Sequence, residues 1–274
     1  MFRYANEITG WIITKKVKIA YVTTQEASDV FPLISALKEL IRQHGEVAEV
    51  AVRSGEDLKD VDQWEEFEHF ARSCHIAIFN LHGGKKSLSS FDELVQSLQD
   101  SSVSIYAQSA SNEPEIELMK LSTVDDAVYR KVSQYLDYGG RKNFYSLILY
   151  LANYFIGSNY EFSEPARPIW EGIYHPDFDH VPTLKEYLQS KCVAGRPTVG
   201  LWFYQSLWQA GNTLFIDRLI EEIERQGANV IPVFLHAAKD VERGTKGAEW
   251  VVENLFMKDG RPIIDVLIST LMFS

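Results

Sequence analysis

The sequence predicts an α/β protein built from two doubly wound parallel-sheet units, Rossmann-like or flavodoxin-like, with connecting helices. Short segments rich in Val, Ile and Leu alternate with amphipathic helical segments in both halves of the chain. Several of these segments, such as 228–235 (ANVIPVFL), are apolar along their whole length. Continuous apolar strands separated by helices are typical of parallel sheets that are covered on both faces.

The first half contains four expected strands. Residues 17–24 (VKIAYVTT) predict the first strand, and the helix at 30–41 follows with its apolar residues at helical spacing. The further elements expected here are a half-exposed strand at 47–52, a helix at 64–71, a buried strand at 75–81, a helix at 91–99 and a strand at 103–107. Two helices, at 125–136 and 144–156, are expected next, with a break at Gly139-Gly140.

The second half contains three expected buried strands, at 198–204, 228–235 and 263–271, with a helix at 214–226. Residues 157–182 carry four prolines and few periodic apolar positions, which indicates a linker or an extended surface segment. The sequence stops soon after the third strand, so we expect a truncated second unit and a longer parent protein. The expected domains are therefore residues 1–160, a proline-bearing linker at 161–182, and an incomplete unit at 183–274.

Composition narrows the class of function. The net charge of −11 argues against a nucleic-acid or anionic-membrane surface, because phosphate binding needs clustered Lys and Arg. Two cysteines without a Cys-x-x-Cys motif suggest neither a disulfide framework nor a structural zinc site. The N-terminus does not read as a signal peptide and no apolar run is long enough to span a bilayer, so we expect a cytoplasmic protein.

Three loops that follow expected strands are candidate ligand contacts, since doubly wound sheets bind ligands at the carboxyl ends of their strands. The first contains His82, Gly83 and Gly84, where glycines would allow close backbone approach and His82 could exchange protons near neutral pH. It lacks the Walker A spacing, so ATP binding is not expected. The other two contain Asn212 and Lys239. The structural alternatives are a tight strand-to-helix turn for the first loop and a helix cap by Asn212 or Thr213 for the second. For the third loop the alternative is that its histidine, His236, is satisfied by backbone groups.

The segment from Trp170 to His180 is the weak candidate for a metal site. It contains two histidines and two aspartates, of which His175 and Asp177 are the best potential ligands. Pro176 prevents the helical pairing that would fix ligand geometry, so a structural segment packed through its aromatic residues is the preferred interpretation, with no metal expected.

Most of the chain from about Ile76 resembles the N-terminal region of cobaltochelatase large subunits and of the related magnesium chelatase H subunit. The resemblance lies in the order and spacing of four stretches, at 102–155, 165–178, 195–240 and 263–270. Of these, GRPTVGLWFYQSLWQAGNT, at the start of the third stretch, looks closer to the cobalt branch.

The resemblance implies part of an ATP-dependent metal–tetrapyrrole ligase that inserts cobalt into a corrin ring in cobalamin biosynthesis. It implies a tetrapyrrole substrate, AAA+ partner subunits that hydrolyse the nucleotide, and a requirement for ATP, magnesium and a divalent metal substrate, cobalt or magnesium. The metal-insertion residues are expected outside this chain, so no catalytic residue is assigned, and we expect this portion to bind no cofactor and to be inactive alone.

Three hypotheses remain open from the sequence. One is the head of a chelatase large subunit, for cobalt and a corrin or for magnesium and a porphyrin. Another is a two-lobed small-molecule binding protein. A third is a structural or subunit-docking module. A tetrapyrrole in a cleft between the units would need aromatic walls, for which Trp170, Trp202, Tyr204 and Trp208 are the candidates.

Overall fold

The computed structural model of the chain describes residues 15–24, 26–110, 115–241 and 243–271, without the side chains of residues 26 and 27. These residues form two compact units. The first contains the opening strand together with Ile34–Asp137 and Asn143–Pro165. The second contains Glu26–Leu33, Tyr138–Lys142 and the chain from Ala166 onward.

The first unit is built on a four-stranded parallel sheet of order β2-β1-β3-β4. The elements of this part of the chain are β1 (Val17–Thr23), α1 (Glu26–His44), β2 (Ala48–Ser54), α2 (Val61–Ala71), β3 (Ile76–Leu81), α3 (Phe91–Gln99), β4 (Ser104–Ser109), α4 (Ile116–Met119), α5 (Asp126–Tyr138) and α6 (Gly140–Ile156).

Helices cover both faces of this sheet. On one face α3 buries Phe91, Leu94, Val95 and Leu98, whose helical spacing places them on a single stripe against the sheet. Burying each such side chain contributes about 1.5–3 kcal/mol. On the opposite face Tyr21 of β1 lies edge-on to a phenylalanine of α6, and Tyr106 of β4 lies against a tyrosine of α5. The sheet is therefore doubly wound.

The second unit is built on a sheet of order β10-β6-β7-β5, in which only the short β5 runs antiparallel. Its elements are β5 (Gly172–Ile173), α7 (Leu184–Lys191), β6 (Thr198–Tyr204), α8 (Gln205–Ala210), α9 (Leu214–Arg225), β7 (Asn229–Leu235), α10 (Gly247–Leu255), the hairpin β8 (Met257–Lys258) and β9 (Arg261–Pro262), and β10 (Val266–Ser269). Alternate residues of β7 pack against α9 on one face and against α10 on the other. Both units thus confirm the predicted α/β class.

The structure departs from the sequence expectations in the second unit. The expected linker contributes β5, which pairs with β7 at Gly172 and Ile173. The strand expected at 263–271 was predicted to be buried, and this is wrong. Only Val266–Ser269 is a strand, and Val266 is 52% exposed. Helix α10 and the β8–β9 hairpin were not anticipated, because their short segments lack a long apolar period.

Along the described part of the chain, no helix combines the length and the apolar character that crossing a membrane requires.

Candidate functional site

The strand order of the first sheet reverses between β1 and β3, and His82 lies at this switch point. Thr24, which follows β1, accepts a hydrogen bond from the backbone N–H of His82 at 2.7 Å. The Thr24 hydroxyl donates in turn to the backbone carbonyl of His82 at 3.2 Å. The ends of β1 and β3 are thereby joined at the place where doubly wound sheets bind ligands.

The glycine pair after His82 forms a tight turn that a carboxylate covers at its second glycine. Gly83 and Gly84 have φ values of 87° and 66°, which glycine adopts without strain. The carboxylate of Glu115 lies directly over Gly84, so a Cβ at this position would be 1.7 Å from Glu115 Oε2. Lys85 is near Asp92, with 3.9 Å between Nζ and Oδ1. The Glu115 carboxylate disfavours a second anion next to Gly84, while Lys85 and Lys86 give the same turn two positive charges.

A buried polar network behind this turn was missed by the sequence analysis. Gln108 of β4 donates to Asn80 Oδ1 at 2.9 Å, and the hydroxyl of Tyr106 donates to Gln108 Oε1. Asn80 lies 3.4 Å from the Tyr21 hydroxyl, and Gln108 lies 3.4 Å from Asp137. Burial raises the pKa of Tyr106 well above its usual value, so its phenol stays neutral and donates.

The signal for this network was present in the sequence. Asn80 and Gln108 are the amide residues near the carboxyl ends of two strands whose central residues are apolar or aromatic. Their parallel pairing places them at the same level of adjacent strands, because Asn80 is opposite Gln108 in the register of β3 and β4. Side chains in this position stiffen the carboxyl edge of the sheet beneath the His82 turn.

In the second sheet Asn212 and Lys239 follow neighbouring strands. Asn212 lies after β6 and α8, and its exposed side chain does not cap α9, since the cap position is Thr213. Lys239 is exposed in the loop after β7. Because β6 and β7 are paired and parallel, both loops leave the same edge of one sheet. The structure brings these two residues to one edge, whereas His82 belongs to the other unit.

The four aromatic candidates are largely engaged within the second unit. Trp208 stacks on Phe234 with ring centroids 4.1 Å apart, and Trp170 donates its indole N–H to the carbonyl of Arg243 at 3.0 Å. Tyr204 and Trp202 pack into the core cluster on the α10 side of the sheet. The buried indole nitrogen of Trp202 has no hydrogen-bond partner within the described residues.

His175 and Asp177 form a structural contact. The buried His175 ring accepts a hydrogen bond from the Asp177 backbone N–H at Nδ1, at 3.2 Å, which places the ring proton on Nε2, 3.3 Å from Glu224. The ion pair with Lys191 holds the pKa of the Asp177 carboxyl below its usual value. Over the described ranges no group of three or more His, Cys, Asp or Glu side chains is arranged to hold a metal ion.

Comparisons with known proteins relate this architecture to metal chelatases. Residues 133–274 match the family model for CobN/magnesium chelatase. An uncharacterized protein of Methanocaldococcus jannaschii is 34% identical over 263 residues, which cover 94% of this chain and 21% of that protein. The aerobic cobaltochelatase subunit CobN of Pseudomonas aeruginosa is 28% identical over 184 residues, covering 67% of this chain and 15% of the relative.

A solved structure shows the same fold. The catalytic subunit of cobaltochelatase from Mycobacterium tuberculosis superposes with a TM-score of 0.56 at 16% identity, covering 83% of this chain and 17% of that one. The chain thus spans about a fifth or less of the length of each of these proteins.

Proposed function

Because this chain belongs to the CobN/magnesium chelatase family, we propose that it forms part of the large subunit that holds the tetrapyrrole in an ATP-dependent metal chelatase. Cobalt and a corrin ring are the proposed substrates, with magnesium and a porphyrin as the alternative pair. The observation that carries the proposal is the family match over residues 133–274. The similarity to the Pseudomonas aeruginosa protein, which is named as a cobaltochelatase subunit, supports it.

The chemistry of the described loops fits a binding role. A tetrapyrrole is a large apolar plate with polar groups on its rim, and it needs apolar contact area together with a few donors. At the carboxyl edge of the second sheet, Leu214 and Phe215 expose apolar side chains beside Asn212, and Lys239 supplies a cation. His82 is the proposed contact in the first unit, next to the exposed Gly83, whereas Gly84 is covered by the Glu115 carboxylate.

The test is a spectral titration of the purified chain with a cobalt-free corrinoid and, separately, with a metal-free porphyrin. We expect a saturable shift of the absorbance band with the corrinoid at a lower concentration than with the porphyrin. Binding of the porphyrin at a lower concentration than the corrinoid supports magnesium and a porphyrin as the substrates. Absence of a shift with either macrocycle contradicts the proposal and favours a subunit-docking role.

The nucleotide chemistry is proposed to lie in AAA+ partner subunits. The sequence has no Walker A motif, since the Gly84-Lys85 pair lacks the upstream glycine and is followed by Lys86. We expect no heat of ATP binding at micromolar concentrations and no phosphate release by this chain with magnesium present. Magnesium-dependent turnover by the purified chain contradicts this division of labour.

A further inference from the structure

The two edge strands of the first sheet, β2 and β4, differ in how their outer sides are covered. The outer side of β4 is closed by side chains that follow α4. Ile105 donates its backbone N–H to the Thr123 hydroxyl at 2.8 Å. Ala107 donates its backbone N–H to the Ser122 hydroxyl at 2.9 Å. Such bonds satisfy the polar groups that an edge strand otherwise offers to another chain.

The outer side of β2 presents the backbone groups of Val50 and Val52. The carbonyl of Val47, just before β2, accepts from the N–H of Val17 on β1 at 3.0 Å, and the register that follows is unbroken. Successive residues of a strand direct their polar groups to opposite sides, so Val50 and Val52 direct theirs outward. Within the described residues, one hydrogen bond reaches these outward groups, from Arg53 Nη1 to the Val52 carbonyl at 2.9 Å.

Antiparallel pairing with β2 of a second copy satisfies these groups in a register that also pairs opposite charges. A two-fold axis at Ala51 sets Val50 opposite Val52 of the second copy, so that their outward groups exchange hydrogen bonds. The same axis sets Glu49 opposite Arg53 of the second copy in a non-hydrogen-bonded pair, where Cα atoms are about 4.5 Å apart and side chains meet most closely. Moving the axis to either valine sets both charges opposite uncharged residues.

The charges on the adjoining elements fit this register. Glu49 lies 3.4 Å from Nζ of Lys18 on β1, and Arg53 lies 3.4 Å from the carboxylate of Glu66 on α2. Pairing Glu49 with Arg53 of the second copy joins these contacts into a row of alternating sign. Two cations and two carboxylates of each copy meet there, so the net negative charge of the chain is not concentrated at this edge.

Helix α1 adds an apolar surface beside the same edge. Gln43 accepts a hydrogen bond from Tyr145 of α6 at 2.7 Å, so its flank of α1 faces the middle of the sheet. Ile34 and Ile41 lie about 180° around the helix from Gln43, on the flank toward β2. They are 41% and 56% exposed. Pairing at β2 sets two copies of α1 about 10 Å apart, which is close to the distance between packed helices.

We propose that this chain forms a two-fold symmetric dimer through β2, in which the two four-stranded sheets continue into one another. The backbone of β2, the pairs of Glu49 with Arg53 and the apolar flanks of α1 form the interface. On association, Arg53 exchanges the carbonyl of Val52 for the Glu49 carboxylate of the second copy. The inference goes beyond the proposed function and uses no residue of the candidate site.

The experiment measures the dissociation constant of the dimer by sedimentation equilibrium of the purified chain over a concentration series. Arg53→Glu and Glu49→Arg each set like charges opposite one another at both symmetric positions. Each is expected to raise the dissociation constant by at least about tenfold. An equal mixture of the two variants is expected to restore association, because the arginines of one variant then face the glutamates of the other. Arg72→Glu, which breaks an ion pair with Glu68 on α2, is the matched control and should leave association unchanged.

Four outcomes overturn the inference. The first is a wild-type chain that stays monomeric throughout the series, which leaves the edge of β2 to a different protein. The second is a dimer that persists in both charge reversals, since association then uses another surface. The others are a mixture that remains monomeric and a control that loses association as much as Arg53→Glu does. Unchanged thermal unfolding verifies the fold of each variant, and recovery in the mixture excludes misfolding as the cause of the loss.

Discussion

At the scale of single residues, close approach and hydrogen-bond satisfaction restrict a few positions strongly. Gly247 illustrates the first restriction, since it combines a positive φ with backbone contact at the first residue of α10. Asn80 and Gln108 illustrate the second, because each contributes a buried amide to the same network. Substitution at these sites is expected to act on stability by different physical routes.

Gly247→Ala is expected to lower the free energy of unfolding by about 2–3 kcal/mol, because the new Cβ is both strained at φ 78° and in contact with the Lys239 backbone. Urea unfolding measures the change. Gly260→Ala, also at positive φ but with open space around the Cβ, is the control and should cost about 1 kcal/mol. Equal losses at both glycines contradict the close contact.

Asn80→Ala and Gln108→Ala are each expected to lower the free energy of unfolding by about 1–3 kcal/mol. Each substitution removes the hydrogen bond between the two side chains and leaves the remaining amide buried. The double variant removes both amides, so no buried amide is left without its partner. Its loss of unfolding free energy should therefore be smaller than the sum of the two single losses by at least about 0.5 kcal/mol. Urea unfolding of the four proteins gives this coupling energy. Strict additivity would show that the two amides do not depend on each other.

At the scale of elements, β10 is the exception in a sheet whose other long strands are covered. Val266, Leu267 and Ile268 are 52%, 38% and 37% exposed, although their sequence is that of a buried strand. The strand pairs with β6 on one side only, so it is an edge strand of the sheet. An exposed apolar edge strand is a site for association with other chains.

Leu267→Lys is therefore expected to reduce concentration-dependent light scattering of the purified chain, because charge on an edge strand opposes strand-to-strand pairing. Its effect on the free energy of unfolding should be within about 0.5 kcal/mol, since the site is partly exposed. Val241→Lys, at an apolar residue that is 84% exposed between β7 and α10, is the control. If both variants reduce scattering equally, net charge and not the edge of β10 is responsible.

At the scale of the whole molecule, buried neutral groups determine how stability depends on alkaline pH. Burial raises the pKa of Tyr106, Tyr135 and Tyr187 above the usual tyrosine value, and it raises the pKa of the Cys74 thiol to about 12. When folding raises the pKa of such a group, its neutral form contributes fully to stability at any pH below its pKa in the unfolded chain. This contribution is lost as the pH rises toward the pKa of the group in the folded protein.

Stability is accordingly expected to fall from about pH 8.5, where an unfolded thiol ionises, and more steeply above about pH 10, where unfolded tyrosines ionise. Urea unfolding between these values and pH 11.5 measures the decline. Tyr187→Phe, which removes a hydroxyl bonded to the carbonyl of Val230, should reduce the slope above pH 10 by up to about 1.4 kcal/mol per pH unit. If the unfolding free energy of Tyr187→Phe falls with pH as steeply as that of the wild type, Tyr187 does not contribute to the alkaline loss of stability.

The sequence by itself determined the strands and helices whose residues repeat with a clear period. The expected helix at 91–99 is α3 residue for residue, and the strands at 17–24 and 228–235 lie within one residue of β1 and β7. Local periodicity suffices there because each segment buries a face that its own residues define. The resemblance carried by 195–240 and the other matched stretches was likewise readable without coordinates, and the family match confirms it.

The tertiary structure decided what depends on distant neighbours. Whether β10 is buried depends on which elements lie beside it, and its own apolar residues cannot indicate this. The role of His175 required Glu224, which lies 49 residues away in the sequence. The amide network required the register of β3 on β4, which pairs Asn80 with Gln108. Contacts between residues far apart in sequence leave no periodic signal, so only the folded chain reveals them.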